Sequence, residues 1–459
     1  MIGRRLSLAV LISLVLGFLP APAATVARQK DDETAPATPI EHFIVLMQEN
    51  HSFDNYFGTY PGADGFPEGA CVPVDPDDPS NTDCIEPFHL EGGQSADLDH
   101  TRETHELQYN HGKMDGFVAA LNARNQDGRL AMGYYDDREL AYYWNVADEY
   151  VLFDKFFTSA HGGSVENHMY WIAGQPGNPD GRIPEQGYGN SVLTIFDRLE
   201  EAGISWKFYI QNYDSDLTFR TVANAKSNRA AQVIWCPLLN FPRFIDDPKL
   251  FQHIVPLDEY YDDLDNGTLP AVSFMVPSGA SEHPPGSIFA GQRFVQTLIH
   301  ELMRSSAWDS SAFMWTYDDW GGWYDHVPPP PVDEFGYGFR APALLVSPYA
   351  KRGHVDSTVL DFTSFLKFIE ENWGLPPLST RDAAANNFLS AFDFDQEPRE
   401  AAFLSWDRQA VVRPEPNRLV LYVTYSSVMV VSLFLIGIAI PRSLTRSGRR
   451  RNALGGREE

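Results

Sequence analysis

Continuous runs of apolar residues predict four buried strands in this chain. The runs are 43–47, 270–277, 312–317 and Ala343–Val346. They lack the alternation of a half-exposed sheet, and apolar runs of this length between polar turns are typical of strands with both faces covered. We therefore expect a central sheet that lies between layers of helices.

Other segments follow the 3.6-residue period of amphipathic helices. Residues 195–202 show this pattern, which ends at Gly203, and a further strand is predicted directly after it at 205–210. Residues 294–303 and 363–372 are predicted to form two more amphipathic helices. The alternation of strands and helices indicates the α/β class.

Two long stretches show neither pattern. The stretch 62–98 is rich in Pro, Asp and Gly and is predicted to be loop. Within it, Cys71 and Cys84 could pair, which would leave Cys236 as the odd one of three cysteines. The irregular stretch 212–261 is predicted to be a lid or an insertion.

The beginning of the chain has the form of a secretory signal peptide. Arg4 and Arg5 precede an apolar stretch, and small residues then offer cleavage after Ala23 or Ala27. An uncleaved anchor is the alternative. The signal predicts export of the main domain.

Residues 419–440 are apolar apart from a few hydroxyl groups. A run of about 20 such residues is long enough to cross a bilayer as a helix. Arginines follow it at 446–451, and basic residues on that side place the C-terminus in the cytoplasm. A buried helix of a soluble protein is the alternative. These features predict a single-pass protein of the cell membrane, with its main domain on the extracytoplasmic side.

Charge narrows the classes of function. The formal net charge is −27 over 459 residues, which argues against nucleic-acid binding through a basic patch. The same charge repels phosphate at long range, so a phosphate site would need a local cation. The hydrophobic content of 43% supports a sizeable core.

Three of the predicted strands end in turns that carry acids or histidines. In chain order these residues are Glu49–Asn50, Glu282–His283 and Asp318–Asp319, with His326 further along the third turn. Each turn alone has an ordinary structural explanation. Together, hard oxygen ligands and imidazoles at the carboxyl ends of strands can assemble a divalent metal site with phosphate-binding groups beside it.

A nucleophile and an acid are available elsewhere in the chain. Ser164 follows two glycines that permit close approach of a substrate, and a metal or base would have to activate it. His161 and His168 flank this serine and are either site residues or loop histidines. His100 could contact a phosphate oxygen or protonate a leaving group, and a surface histidine is the alternative.

The order of these motifs resembles a known family, the phosphoesterases that include non-specific phospholipases C and certain acid phosphatases. This family belongs to the alkaline-phosphatase-like superfamily. The resemblance extends over residues 40–382. The matching blocks are Glu49-Asn50-His51-Ser52-Phe53-Asp54, residues 110–116 and 162–167, Glu282-His283-Pro284, and residues 317–327, 338–342 and 347–348.

The resemblance implies an alkaline-phosphatase-like central sheet flanked by helices, to which the sequence adds one C-terminal transmembrane helix. It also implies a role for each matching residue. Ser164 is the implied nucleophile, and a phosphoserine is the implied intermediate. The implied metal ligands are Glu49, Asn50, Asp318 and Asp319, the implied phosphate-binding residues are Asn167 and Glu282, and the implied catalytic histidines are His100, His283 and His326. The metal is a divalent ion of unknown identity.

The chain departs from the family pattern at several positions. His51 replaces an arginine, Ser164 replaces the commoner threonine, and Asp319 replaces a glutamate. The two prolines that the family has around the nucleophile are absent. We expect the first change to affect packing, the third to shorten a side chain near the metal, and the missing prolines to reshape the loop.

The resulting prediction is an exported, membrane-anchored phosphoesterase. The predicted segments are a signal peptide (1–27), a linker (28–39), the phosphoesterase catalytic domain (40–397), a stalk (398–418), the transmembrane helix (419–440) and a cytoplasmic basic tail (441–459). Phospholipase C-type cleavage of phospholipids is favoured, and acid phosphatase-type hydrolysis of soluble monoesters is the alternative. A non-catalytic surface-binding protein is the rival from another class. The expected partners are the substrate and the lipid bilayer.

Overall fold

The apolar runs pair into one sheet of eight strands. In chain order the strands are β1 His42–Gln48, β2 Val151–Phe153, β3 Trp206–Ile210, β4 Ile254–Pro256, β5 Val272–Val276, β6 Ser311–Tyr317, β7 Ala343–Val346 and β8 His354–Asp356. Their order across the sheet is β8-β2-β7-β6-β1-β5-β3-β4. Strand β7 is antiparallel to both of its neighbours, and all other pairs are parallel.

This computed structural model describes residues 35–178, 181–225 and 227–408, together with residues 429, 431 and 432. The chain divides into two compact units, Met1–Trp406 and Asp407–Glu459. All the elements named here belong to the first unit.

Helices and short ribbons surround the sheet. The helices are α1 Phe53–Phe57, α2 Arg102–Tyr109, α3 Phe117–Ala123, α4 Ala141–Glu149, α5 Ser164–Ala173, α6 Ile195–Ala202, α7 Ser227–Ala230, α8 Gln232–Trp235, α9 Pro242–Asp246, α10 Pro248–Phe251, α11 Asp258–Asn266, α12 Ile288–Arg304, α13 Phe362–Trp373 and α14 Thr380–Ala384. Two-residue strands pair as Val72–Pro73 with Cys84–Ile85 and as Phe88–His89 with Gly133–Tyr134.

The core lies on both faces of the central strands. Every residue of β5 and β6 is buried, as continuous apolar strands require when both faces are covered. On β1, the ring of Phe43 packs on that of Phe368 in α13, with 4.7 Å between centroids. On β5, the ring of Phe274 packs on that of Trp171 in α5 at 4.6 Å. Helix α5, which begins at Ser164, is therefore held against the sheet by aromatic packing.

The predicted strands and helices are confirmed with small shifts. The four apolar runs correspond to β1, β5, β6 and β7, and the run at 205–210 corresponds to β3. Helix α6 ends where Gly203 takes a positive φ of 70°. Helix α12 begins six residues before the predicted start at residue 294, because its first turns are less strongly patterned.

The irregular stretch 212–261 is more than an insertion. It supplies the edge strand β4 and a series of short helices, and it includes the start of α11. Its helix α8 also brings Trp235 near Glu49, where it acts to lower the pKa of that carboxyl against the larger effect of burial. Part of this stretch therefore belongs to the sheet, and another part lies beside the first of the predicted site residues.

The predicted fold class requires one correction. In the described part of the chain, no helix is both long and apolar enough to cross a membrane. This finding contradicts the predicted transmembrane helix at 419–440, the single-pass location and the bilayer contact through that helix. Most of that segment, like the predicted signal peptide at 1–27 and basic tail at 441–459, lies outside the described residues.

Residues near both ends of the described chain form hydrogen bonds with the body of the domain. The backbone N–H of Ala37 donates to the carbonyl of Asn372 at 2.7 Å. Near the other end, the Trp406 indole donates to Gln296 on α12. Residues that the sequence predicts to be linker or stalk are thus hydrogen-bonded to the catalytic domain. In the loop 62–98, Cys71 and Cys84 form a disulfide with 5.6 Å between Cα atoms, and Cys236 is buried and free.

Candidate metal and phosphate site

The site forms where three adjacent parallel strands end. Strand β1 lies between β5 and β6, and it delivers Glu49 directly after its last residue. The N–H of Glu49 donates to the carbonyl of Ser281 at 2.9 Å, and the N–H of Asp318 donates to that of Gln48 at 3.0 Å. These bonds continue the sheet ladder past the strand ends, so the turns after β1, β5 and β6 stay side by side.

A close backbone approach brings two of these turns together. Gly321 has a φ of +62°, and a Cβ atom there would lie only 2.2 Å from the carbonyl oxygen of Asn50. Asn50 itself has a φ of +68°, and its N–H donates to Oδ1 of Asp318 at 3.2 Å. Only glycine fits at residue 321, which explains the glycine two residues after the acidic pair Asp318–Asp319.

Three buried carboxylates, those of Glu49, Asp318 and Asp319, converge in this place. Burial, together with repulsion from Asp318 and Asp319, raises the pKa of Glu49 well above its usual range. Burial and the neighbouring Asp319 raise the pKa of Asp318 to about 6. Burial also raises the pKa of Asp319. Such mutual repulsion is typical of carboxylates that hold a cation.

Ser164 is the first residue of α5, so it stands at a helix N-terminus. Its hydroxyl donates to Oδ2 of Asp319 at 3.4 Å. The backbone before it is crowded, because a Cβ atom on Gly162 would overlap the carboxylate of Glu166. Free N–H groups and the helix dipole make this end of α5 favourable for an anion such as a phosphoryl group.

Asn167 shapes the loop in front of Ser164. Its side-chain amide donates to the carbonyl of Gly162 at 3.1 Å, and its oxygen accepts from the N–H of Ala160 at 3.0 Å. The side chain is fully buried. Both polar atoms are thus used by the loop backbone, and phosphate binding by Asn167 stays a prediction that this placement does not support.

His168 lies one helical turn after Ser164 and was left open by the sequence. Its ring is fully buried, and Nδ1 donates to the Ser164 carbonyl at 2.8 Å. Nε2 lies 3.9 Å from Oε1 of Glu49, and Nδ1 lies 3.8 Å from Oδ2 of Asp318. The i,i+4 spacing from Ser164 was the signal that could have placed this histidine in the site.

His100 and His283 stand on the accessible side of the cluster. Nε2 of His100 accepts from the amide of Asn50 at 2.9 Å, and Nδ1 donates to the carbonyl of Leu98 at 2.7 Å. Burial alone would lower the pKa of His100. The negative charge of Asp319 and the hydrogen bond to the Leu98 carbonyl act in the opposite direction, and the pKa of His100 is raised overall. Nδ1 of His283 donates to the Pro284 carbonyl, and its ring centroid lies 5.9 Å from that of His100.

Glu282 points away from the cluster. Its buried carboxylate accepts hydrogen bonds from the hydroxyls of Tyr56, Tyr143 and Tyr317 and from the amide of Gln48. Burial raises the pKa of Glu282 to about 7, although these hydrogen bonds act in the opposite direction. The predicted phosphate-binding role of Glu282 stays untested, and its side chain lies in a cage of tyrosines.

His326 belongs to a second group of buried charges. Its Nδ1 donates to Oδ2 of Asp54 at 2.7 Å. The guanidinium of Arg340 donates to Asp54 at 3.0 Å and to Asp325 at 2.8 Å. The structure thus ties His326 to an ion network around Arg340, and its catalytic role stays a prediction that this placement does not support.

A cleft of about 610 Å³ opens onto Ser164 and His100. Four carboxylates line it, those of Asp97, Asp99, Glu103 and Glu166. The guanidinium of Arg102 is also present and is hydrogen-bonded to Glu166. The approach to the serine is therefore acidic, in agreement with the overall charge of the chain.

The donor atoms of the cluster fit a divalent metal ion. In the described part of the chain, Oδ1 of Asn50 and Nε2 of His168 have no hydrogen-bond partner, and Oδ2 of Asp318 makes no hydrogen bond of regular geometry. Each is buried, and each is an electron-pair donor. Glu49, His168 and Asp318 offer ligand atoms that all lie within 4.8 Å of one another. Buried acceptors without donors are the surroundings that a cation satisfies.

The chain is similar to phospholipases C from bacteria and plants. It is 29% identical to phospholipase C A of Mycobacterium tuberculosis, with 79% of this chain and 78% of that protein covered. It is 28% identical to a non-hemolytic phospholipase C of Pseudomonas aeruginosa, covering 83% and 63%. Non-specific phospholipase C1 of Arabidopsis thaliana is 26% identical, covering 79% and 72%.

Solved structures show weaker similarity. A protein in the alkaline phosphatase superfamily from Vibrio parahaemolyticus is 12% identical, with a TM-score of 0.37, and 76% of this chain and 70% of that chain are covered. This value is too low to add to the assignment. The sequence model of the Phosphoesterase family, in contrast, matches residues 40–376, which is most of the chain. The chain therefore belongs to the Phosphoesterase family and is a hydrolase that acts on phosphate ester bonds.

Proposed function

We propose that this enzyme cleaves the phosphodiester bond of phospholipids in the manner of a phospholipase C, through a phosphoserine intermediate on Ser164. The observation that carries the proposal is the position of Ser164. It stands at the N-terminus of α5, 3.4 Å from Asp319 and beside the buried cluster of Glu49 and Asp318. A phosphoryl group above Ser164 would meet free helix N–H groups on one side and the cluster on the other.

The first step is attack of Ser164 Oγ on phosphorus. The proton leaves Oγ for Asp319, which already accepts its hydrogen bond. The bond between phosphorus and the glycerol oxygen breaks, and that oxygen needs a proton as it leaves. Water then attacks the phosphoserine, the phosphorylated head group departs, and Asp319 returns the proton to Ser164.

His283 is the proposed acid for the leaving oxygen. Its Nδ1 is used by the carbonyl of Pro284, which leaves Nε2 to exchange a proton with the substrate and later with water. His100 is less suited to this role because its Nε2 accepts from Asn50. We assign His100 to positioning Asn50, because both of its ring nitrogens are already used in hydrogen bonds.

Glu49, Asn50 and Asp318 would hold the divalent metal ion, and Asp319, whose Oδ2 takes the serine proton, would lie beside it. A bound divalent ion supplies charge neutralisation at the phosphoryl oxygens and lowers the pKa of the serine hydroxyl. Glu49, Asn50, Asp318 and Asp319 are all buried, so water does not reach the metal site through the protein interior.

The acidic cleft supports a phosphodiester with a cationic head group. Asp97, Asp99 and Glu103 would repel a dianionic monoester but attract an ammonium group. The names of the relatives, all phospholipases C, agree with this choice. Hydrolysis of soluble monoesters, as in acid phosphatases, is the alternative that the experiment must separate.

The nucleophile is tested by Ser164→Ala, with Ser191→Ala on the exposed surface as the matched control. We expect Ser164→Ala to lower kcat by about a thousandfold or more and the control to leave it unchanged. Acid quenching of the wild-type reaction followed by peptide mass spectrometry should place a phosphoryl adduct on the peptide that contains Ser164. Normal turnover by Ser164→Ala would contradict the proposal.

The substrate is tested by three esters under the same metal-replete conditions. We expect kcat/KM to be highest for phosphatidylcholine, lower for the anionic phosphatidylglycerol and lowest for p-nitrophenyl phosphate. A preference for p-nitrophenyl phosphate would instead assign the enzyme to the phosphomonoesterases. Equal rates on both lipids would contradict the role given to the acidic cleft.

A further inference from the structure

His168 stands out because the described residues use only one of its two ring nitrogens. The ring is fully buried, and Nδ1 donates to the Ser164 carbonyl at 2.8 Å. In a neutral imidazole this bond leaves Nε2 with a lone pair. Nε2 has no hydrogen-bond partner among the described residues, although a buried acceptor without a donor is costly.

The lone pair of His168 faces other electron-pair donors. Nε2 lies 3.9 Å from Oε1 of Glu49, and the oxygen of Asn50 in the same cluster also lacks a partner. Two acceptors at this separation repel each other unless a positive centre lies between them. A nitrogen and an oxygen that each bind one ion at about 2.1 Å can lie at most about 4.2 Å apart. The observed separation is within that limit.

No side chain of the described region supplies the positive centre. In this part of the chain the only basic side chain within 4.0 Å of the Glu49 or Asp318 carboxylate is His168, whose neutral imidazole carries no charge. Arg102, which lines the nearby cleft, is paired with Glu166. The charge that would satisfy the cluster must therefore come from a ligand.

We propose that Nε2 of His168 is a direct ligand of the divalent metal ion, alongside Glu49, Asn50 and Asp318, and that it directs the site toward Zn²⁺ and away from Mg²⁺ or Ca²⁺. The inference rests on the metal site of the proposed function and specifies its chemistry. Imidazole is a good ligand for zinc, whereas magnesium and calcium prefer sites made only of oxygen atoms.

The direct test is a crystal structure of the zinc-loaded wild-type enzyme with anomalous data at the zinc edge. We expect an anomalous peak within about 2.1 Å of His168 Nε2 and of the carboxylate of Glu49. A zinc ion bound to Glu49 and Asp318 with the His168 ring outside bonding distance would overturn this inference but leave the proposed function intact. A peak elsewhere, with none at the cluster, would overturn both.

The preference of the site for Zn²⁺ over Mg²⁺ is measured by titrating variants with each metal ion. We compare His168→Gln with His161→Gln as the matched control, since His161 lies three residues before α5 and its ring stacks on that of His105 at 4.8 Å. His168→Gln should weaken zinc binding by about tenfold to a hundredfold and leave magnesium binding within about twofold. His161→Gln should leave both unchanged. Unchanged zinc affinity in His168→Gln, or an equal loss for both metals, contradicts direct ligation.

Discussion

Two groups of buried carboxylates and histidines lie in this enzyme, and they differ in what neutralises them. In the first, which we call the Arg340 network, Asp54, Asp325 and His326 surround a fully buried guanidinium. In the second, the sheet-edge cluster, Glu49, Asp318 and His168 meet without a lysine or arginine in the described part of the chain.

The two groups also differ in the hydrogen bonds that their carboxylates accept. In the Arg340 network both oxygens of Asp54 and both oxygens of Asp325 accept hydrogen bonds. In the sheet-edge cluster Asp318 Oδ2 makes no regular hydrogen bond among the described residues. A buried charge that is paired with another side chain of the protein has a structural role, whereas a buried charge without such a partner requires a bound ligand of opposite charge. A sequence motif does not distinguish the two groups. The difference lies in the hydrogen-bond and ion-pair partners of their carboxylates.

The largest expected effect comes from removing the counter-ion of the Arg340 network. Arg340→Met would leave Asp54 and Asp325 buried and unpaired. We expect it to lower the free energy of unfolding by about 3–5 kcal/mol, measured by urea denaturation.

The matched control is Arg352→Met, because Arg352 pairs with Glu149 but keeps 74% of its side chain exposed. We expect that variant to cost less than about 1 kcal/mol. Equal losses in the two variants would show that the Arg340 network is not held together by its buried guanidinium.

Another buried carboxylate, that of Glu282, has no guanidinium partner among the described residues and accepts hydrogen bonds from tyrosine hydroxyls instead. Its pKa rises from an ordinary value of 4.5 to about 7 in the folded protein. The folded state therefore holds a proton that the unfolded state loses, and the stability that this gives is present below pH 4.5 and lost as the pH rises through 7. The shift corresponds to roughly 3 kcal/mol.

We expect Glu282→Gln to remove this pH dependence. The difference in unfolding free energy between wild type and variant should change by about 3 kcal/mol between pH 4.5 and 7, and little above pH 7. Denaturant titrations at a series of pH values measure it, and taking the difference cancels the other carboxylates. Parallel pH profiles for the two proteins would contradict the raised pKa of the buried Glu282 carboxyl.

Replacing one carboxylate oxygen by an amide nitrogen should act in opposite directions in the two groups. In Asp318→Asn the new N–H group would replace Oδ2, which accepts no regular hydrogen bond in the described part of the chain, and would lie near the carboxylate of Glu49, an acceptor. In Asp325→Asn it would face the N–H of Asp54 or Arg340, both donors.

We therefore expect metal-free Asp318→Asn to be more stable than the metal-free wild type by about 1 kcal/mol and Asp325→Asn to be less stable by about 2 kcal/mol. Thermal unfolding in the presence of chelator measures both changes. Destabilisation of similar size in both variants would remove the distinction between the groups.

The sequence was sufficient for the long elements and not for their arrangement. Strands β1 and β6 have seven residues each, and both were predicted from the runs 43–47 and 312–317 within them. Strands β2 and β8 have three residues each, too few for a period to show. The antiparallel direction of β7 has no local signal, because it depends on pairing with distant strands.

The same limit applies to the site. Glu49 and Asp318 could be placed together because each directly follows a predicted strand. Glu282 also follows a strand, but its carboxylate turns toward tyrosines that are distant in sequence, such as Tyr143 on α4. Asn167 matches a family motif, yet its amide is taken up by the loop backbone. A motif identifies a position, and the direction of its side chain depends on neighbours that the motif does not contain.

The central claim is that the sheet-edge cluster, and not the Arg340 network, holds the metal ion of this phosphoesterase. The most direct measurement is the metal content of purified, folded wild type, Asp318→Asn and Asp325→Asn after equilibration with the same divalent ion, determined by inductively coupled plasma mass spectrometry. The account predicts stoichiometric metal in the wild type and in Asp325→Asn and almost none in Asp318→Asn. Metal retained in Asp318→Asn and lost in Asp325→Asn would contradict it.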